Sequence, residues 1–397
     1  MKVLLLNQFF HPDLAATAQI ATDLAEDLAA QGLEVTALAA QGTYLGSARL
    51  PREETYRGVR IVRVPCTSLG KASIARRMAD YGSFFLSAAA RVLAGTRHDV
   101  VVAMSTPPLV ASLGGAARAL RGTRFVYWLQ DVYPELAVEF GVLSPGSLAA
   151  RGFDAVSRWT LRRADAVVVL GEAMAQRVRG KGVSSKRVHV IPNWADGAAI
   201  RPVGHDTNDF RREHGLDGKR VVLYSGNMGR GHDMGTILDA ARRLRDVSDV
   251  VFLFVGEGAK RREVEAAARE LANVKVLPYQ PRERLAESLS AGDVHVVSQD
   301  RCTEGLIEPS KLYGVLAAGR GVLYVGPPGS EVARTISAEG VGEVVANGDG
   351  ASAAAALDRL LGQTEAIGVR ARAAFDREYD RRHRTARFAE LLRAVAA

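Results

Sequence analysis

The sequence predicts an α/β protein built from two doubly wound, Rossmann-like domains that face each other across a cleft. Short β-branched runs alternate with amphipathic stretches from one end of the chain to the other, the pattern of a mainly parallel sheet covered on both faces. The alternation breaks once near the middle, at "VIPNWADGAAIRPV", where Asn193, Asp196, Gly197 and Pro202 make a linker. A chain of 397 residues is too long for one ordinary core and suits two domains of usual size.

In the first half "KVLLLN" (Lys2 to Asn7) reads as a buried strand, and Ala16 to Gln31 as a helix with apolar positions at helical spacing. The runs "EVTALAA", "VRIVRVP", "VVVAMS", "FVYWLQD" and "AVVVLG" continue as strands. The second half repeats the plan with "RVVLYSG", "VVFLFVGEG", "VKVLPY", "VHVVSQ", "GVLYVG" and "GEVVAN", separated by helices such as Met234 to Asp246 and Lys260 to Ala272. The expected domains are 1–198 and 199–375, with a tail helix over 376–397 packing back on the first. Ligands of such sheets bind beyond the carboxyl ends of the strands.

Composition excludes several classes. With 47% hydrophobic and 24% charged residues and no repeat, the chain is neither a solenoid nor disordered. Cys66 and Cys302 stand far apart without metal-ligand spacing, which argues against a zinc site or a disulfide framework and for two reduced thiols. "MKVLLLNQFFHPD" is too short in its apolar run for a signal peptide, and no run reaches the roughly 18 residues needed to span a bilayer. The expectation is a cytoplasmic protein. The net charge of +8 suits anionic lipid or nucleotide phosphate, while no aromatic-interleaved basic patch points to nucleic acid.

Three strand exits in the second half carry glycines. "LYSGNMGRGHD" places Arg230 among Gly226, Gly229 and Gly231 ahead of a helix, a cradle suited to phosphate, although an ordinary strand-to-helix turn reads the same way. It lacks GxGxxG, and no acidic ribose anchor follows the first strand, which disfavours a nicotinamide cofactor. "VGEGAKRRE" adds Lys260 and Arg261, and alone reads as a turn before a solvated helix. "QDRCTEGLIEPSKLYGVLAAGRGVLYVG" sets Glu304 and Glu308 close to Ser310 and Lys311 at the mouth of a helix. Carboxylates there suit sugar or ribose hydroxyls, and the cation suits a diphosphate, so the group fits a nucleotide-sugar. In the first half Asp131 ends "FVYWLQD". There it either serves an acceptor hydroxyl or caps the helix after Pro134.

These motifs, with "LNQFFHPDLAATAQIATDLAEDLAAQGLEVTALAA", "WLQDVYPELAVEFG" and "VLPYQPRERLAESLSAGDVHVVS", resemble glycosyltransferase family 4 over nearly the whole chain, especially its bacterial surface-polysaccharide branch. The resemblance implies the glycosyltransferase B fold and a retaining transfer from a nucleotide-sugar, without an essential metal or other cofactor. The implied donor is a UDP-hexose or UDP-N-acetylhexosamine derivative, and the implied acceptor a lipid-linked glycan. It makes Arg230 and Lys311 the diphosphate ligands, with Gly229 and Ser310 as further donors and Leu312 beside them. The turn Leu277 to Gln280, with Tyr279, would receive the base. Glu304 or Glu308 matches the first of two acidic positions usual in the family; the second, expected near Gly314, is missing here, and Gly321 replaces the usual proline. The candidate catalytic residues are Asp131, Arg230, Glu304 and Lys311, with His11 and Asp131 on the acceptor side. A nucleotide-sugar 2-epimerase and a non-catalytic nucleotide-sugar sensor share the same signals.

One segment, Gly70 to Leu93, gathers Ile74, Met78, Tyr81 and Phe85 on one helical face, with Lys71, Arg76, Arg77 and Arg91 mostly off it. It reads either as a core helix or as a basic amphipathic segment that attaches the protein peripherally to the anionic cytoplasmic face of the inner membrane.

Overall fold

The computed structural model describes residues 1–44, 49–70 and 73–397 and, of Ile74, the backbone alone. The chain forms two compact units, one of Met1–Pro192 with Arg382–Ala397 and the other of Asn193–Arg381.

The first unit holds an eight-stranded sheet: β1 (Lys2–Leu6), β2 (Glu34–Ala40), β3 (Glu53–Tyr56), β4 (Val59–Val64), β5 (Val100–Met104), β6 (Arg124–Trp128), β7 (Ala166–Val169) and β8 (Val188–Val190), in the order β3-β4-β2-β1-β5-β6-β7-β8. The central strands are apolar throughout, as expected where helices cover both faces, and β5 and β7 are buried at every position. Among these described strands, β3 alone runs antiparallel to its neighbour. Its sequence, "EETY", has no hydrophobic alternation, which hid it from pattern reading.

The second unit holds β9 (Arg220–Ser225), β10 (Val250–Val255), β11 (Val274–Leu277), β12 (Val294–Ser298), β13 (Gly321–Val325) and β14 (Gly342–Val345), all parallel, in the order β11-β10-β9-β12-β13-β14. β9 and β12 lie side by side, yet the chain winds outward from them in opposite directions. That reversal opens a crevice at their carboxyl ends. Phe252 and Phe254 on β10 and Ile237 and Leu238 on the helix Gly235–Arg243 fill the core on one face. Each such side chain contributes about 1.5–3 kcal/mol through burial.

Three expectations need adjustment. The division falls at Pro192–Asn193, ahead of 198/199, because Ile200 packs with Leu312 and Leu316 of the second unit and Asp196 pairs with Arg381. The tail helix begins at Arg381 rather than 376, because Asp380 is extended and bridges to Ala195. In the first unit Phe388 of this helix meets Trp128 edge to face, and Thr385 donates to Asp27.

The third concerns the amphipathic segment. It is a helix, Ile74–Ala94, opened by the Ser73 hydroxyl, which accepts from the Arg76 N–H. Its core face is Phe84, Ala88 and Val92, not the face through Met78 and Tyr81. Met78 is 59% and Leu86 71% exposed, and Arg76, Arg77 and Arg91 are exposed beside them. The carboxyl half therefore carries the core face, while residues 75–79 stand in solvent. Lys71 lies outside the described residues.

Candidate functional site

The crevice between β9 and β12 is lined by the two chain segments that leave those strands. From β12 the chain passes through 299–310 into the helix Lys311–Ala317, and from β9 it passes through Gly226–His232. Lys311, first residue of its helix, lays its stem against Gly226, where a Cβ would sit 2.7 Å from Lys311 Cε. Gly226 also has φ +129°, so both space and backbone require glycine there. The neighbouring exit is as tight: a Cβ at Gly256, φ +141°, would stand 2.1 Å from the Gly226 carbonyl oxygen.

Lys311 Nζ donates to the Asn227 carbonyl at 3.2 Å and to His232 Nε2 at 3.1 Å, and lies 4.8 Å from the centre of the Tyr224 ring. None of these partners is an anion. Burial without a compensating carboxylate lowers the amine's pKa from the usual lysine range to about 7. His232 is pushed down to about 3 by burial first and by the Lys311 charge second, so its ring is neutral at physiological pH. Lys260 Nζ donates to the His232 carbonyl at 2.5 Å, and Tyr224 donates its hydroxyl to the Asn227 carbonyl. Among the described residues both lysines donate to neutral acceptors, and the Lys260 charge is also felt by the Asp233 carboxylate. Arg230 is exposed on the same loop and Gly229 half-buried beside it.

The acidic pair belongs to the next exit. Glu308 accepts from the Glu331 N–H at 3.1 Å, at the start of the helix Glu331–Glu339, and its other carboxylate oxygen is buried without a partner. Burial outweighs that hydrogen bond and raises its pKa to about 8. Glu304 lies against Gly329 in the turn after β13. Neither carboxylate forms an ion pair with Lys311. Ser310 precedes the helix without capping it, which leaves its hydroxyl available. Leu312 is 1% exposed in the core, so only its backbone can serve a ligand. Tyr279, after β11, is half-buried. Among the described residues no group of three His, Cys, Asp or Glu side chains could hold a metal ion.

In the first unit the order of winding reverses between β1 and β5. His11, after β1, stacks on Tyr56 with ring centres 3.6 Å apart, donates its N–H to Thr22 Oγ1 and accepts at its carbonyl from Arg63. It is held, not merely exposed. Asp131 follows β6, its N–H donating to Ser105 Oγ at 3.0 Å. The helix after Pro134, Glu135–Glu139, has no side-chain cap, so the capping role for Asp131 is not realised. Burial raises the Asp131 pKa to about 6, and its charge is felt by Tyr44, Tyr127 and Tyr133.

The comparisons with known proteins agree with this architecture. Residues 16–194 match the glycosyl transferase 4-like domain, and residues 219–363 the glycosyl transferases group 1. A protein of Escherichia coli K12 named as a colanic acid biosynthesis glycosyl transferase, WcaI, is 30% identical over 80% of this chain and 82% of its own. The chain belongs to this glycosyltransferase family. Solved structures share the fold: sucrose-phosphate synthase from Thermosynechococcus elongatus superposes with a TM-score of 0.80 at 18% identity, covering 100% of this chain and 99% of that one. Anabaena HepE in complex with UDP-glucose superposes with a TM-score of 0.73 at 16% identity, covering 99% and 100%. Both halves of this glycosyltransferase are accordingly the parallel-sheet units of the glycosyltransferase B fold.

Within the glycosyltransferase's second unit, Lys311, Gly229 and Arg230 occupy the two segments at the crevice, while Glu304 and Glu308 gather at the turn after β13. Sequence reading missed His232, Asn227 and Tyr224. His232 was visible as a titratable residue inside the glycine-rich exit, and Lys260 as a cation at the start of a helix taken for a solvated one.

Proposed function

We propose that this glycosyltransferase moves a sugar, with retention, from a UDP-linked hexose or N-acetylhexosamine derivative to a lipid-linked glycan during surface polysaccharide assembly. The observation that carries the donor half is Lys311, a half-buried ammonium at the β9/β12 crevice with no anionic partner among the described residues. The donor diphosphate supplies that partner. The acceptor oxygen bonds to the anomeric carbon as the bond from that carbon to the β-phosphate oxygen breaks, and the acceptor's proton leaves with the released UDP or through Asp131. Charge develops on the departing diphosphate, where Lys311 and the unshielded Arg230 each contribute about 3 kcal/mol if they match other preorganised donors. No metal or other cofactor is assigned a role. The UDP-glucose of HepE and the colanic acid pathway in the name of WcaI favour this donor and setting.

The acceptor half is read from Asp131 and from the exposed amino half of the helix Ile74–Ala94. Met78 there enters the acyl boundary while Arg76 and Arg77 meet anionic headgroups, giving peripheral attachment at the cytoplasmic membrane face. No helix among the described residues is long and apolar enough to cross a membrane. Stabilisation by a panel of UDP-, GDP- and dTDP-sugars tests the donor, since a ligand at 100 times its Kd adds about 2.7 kcal/mol. The expected result is stabilisation by UDP-sugars and transfer to a lipid-linked acceptor. Epimerised sugar formed without any acceptor, or donor binding with neither hydrolysis nor transfer, contradicts the reading.

A further inference from the structure

The least ordinary feature of the crevice is the choice of partner for Lys311. A buried lysine is usually stabilised by a carboxylate, and none is supplied here. Instead the imidazole of His232 takes that place. His232 Nδ1 lies 2.6 Å from the Ser298 carbonyl oxygen. A carbonyl only accepts, so the ring proton is on Nδ1 and the lone pair on Nε2, 3.1 Å from Lys311 Nζ. Ser298 ends β12 and His232 leaves β9, so this one ring bridges the two strands that define the crevice and hands a lone pair to the lysine between them. The Lys260 ammonium, on the carbonyl of the same residue, fixes the backbone from the β10 exit.

We propose that His232 is a positioning residue for the donor-phosphate site: its neutral ring, locked as the Nδ1–H tautomer by the Ser298 carbonyl, aims the Lys311 ammonium without cancelling its charge. This rests on the donor reading above. A carboxylate at 232 would hold Lys311 equally well but would neutralise it, and an incoming diphosphate would have to displace that carboxylate. A neutral acceptor orients Lys311 Nζ without a counter-charge, so the charge that a bound diphosphate restores on it is met by the ligand alone. The strongly depressed basicity of the buried ring keeps it an acceptor throughout the working pH range.

Glutamine and glutamate at 232 separate this role from packing, because they have the same shape and differ in charge. UDP affinity, measured by calorimetry, should fall about threefold for His232→Gln, whose amide oxygen still accepts from Lys311, and about tenfold for His232→Ala. For His232→Glu it should fall at least about 30-fold, the loss of one charge-assisted contact. Equal losses for Gln and Glu, with unchanged melting temperatures, would overturn the proposal. The contact is also read without ligand, from the nitrogen shifts of His232 in ring-labelled protein. The expected state is an Nδ1-protonated ring whose Nε2 signal moves in Lys311→Met, and an Nε2–H tautomer would overturn the lock. If wild-type protein binds no UDP while the tautomer is as expected, the donor reading fails and the positioning geometry stands.

Discussion

Each half holds a partly desolvated charge that has no counter-charge among the described residues, and the two have opposite signs. In the second unit Lys311 faces a carbonyl, a neutral imidazole and a tyrosine ring, and its pKa falls to about 7. In the first unit Asp131 sits near tyrosines after β6, and its pKa rises to about 6. Desolvation penalises the charged form in both cases. The scaffolds differ in how firmly they hold the group. Lys311 has two hydrogen bonds and a stem packed on Gly226, whereas Asp131 is fixed through its backbone by Ser105. The difference fits their proposed tasks: a diphosphate site needs a fixed cation, and an acceptor-side carboxylate needs a proton that comes and goes near neutrality.

The comparison can be broken most sharply at Lys311. Lys311→Ala should lower kcat/KM for the donor by roughly 10²–10³, the usual cost of one preorganised charge donor. Asp131→Asn should lower turnover by about 10² while leaving the UDP Kd unchanged. A swap of these phenotypes would sink the division of labour.

Stability against pH provides a second contrast. The Asp131 pKa is raised in the folded state, so its cost is absent at low pH and present above about 6. The Lys311 pKa is depressed, so its cost is complete below about 7 and is relieved as pH rises toward the unfolded lysine value. Asp131→Asn should therefore raise Tm more at pH 8 than at pH 4, and Lys311→Met more at pH 6 than at pH 10. Thermal melts of both variants across pH check the signs.

Smaller effects follow from the supporting elements. Gly226→Ala pushes on the Lys311 stem from a left-handed backbone position, and should weaken UDP binding about tenfold with a stability cost of about 1–3 kcal/mol. Met78→Ser should change stability by no more than about 0.5 kcal/mol, because the side chain is already in solvent. The same variant should reduce co-sedimentation with anionic vesicles at low salt. Unaltered co-sedimentation would remove Met78 from the membrane reading.

The winding pattern was legible because parallel strands buried on both faces read as apolar runs with turn residues between them. β3 escaped because an edge strand of charged and polar residues carries no such run. Lys311 and Arg230 stood out in the sequence as cations at glycine-bearing strand exits, a pattern that an ordinary turn also gives. His232 did not, because its value lies in a contact with Ser298 and Lys311, far away in sequence. The helix Ile74–Ala94 shows a different limit. Its apolar stripe was read correctly as a stripe, but periodicity alone does not say which face meets the sheet, and Phe84, Ala88 and Val92 took that place.

The central claim, that the Lys311 ammonium awaits the donor's diphosphate, is tested most directly by counting protons on binding. At pH 8 Lys311 in the free protein is mostly neutral, and a bound diphosphate restores its charge. Calorimetry of UDP binding at pH 8, in buffers of different ionisation enthalpy, should show uptake approaching one proton per UDP in the wild type and almost none in Lys311→Met. Tight UDP binding with no proton uptake, or with the same uptake in both proteins, would contradict the account.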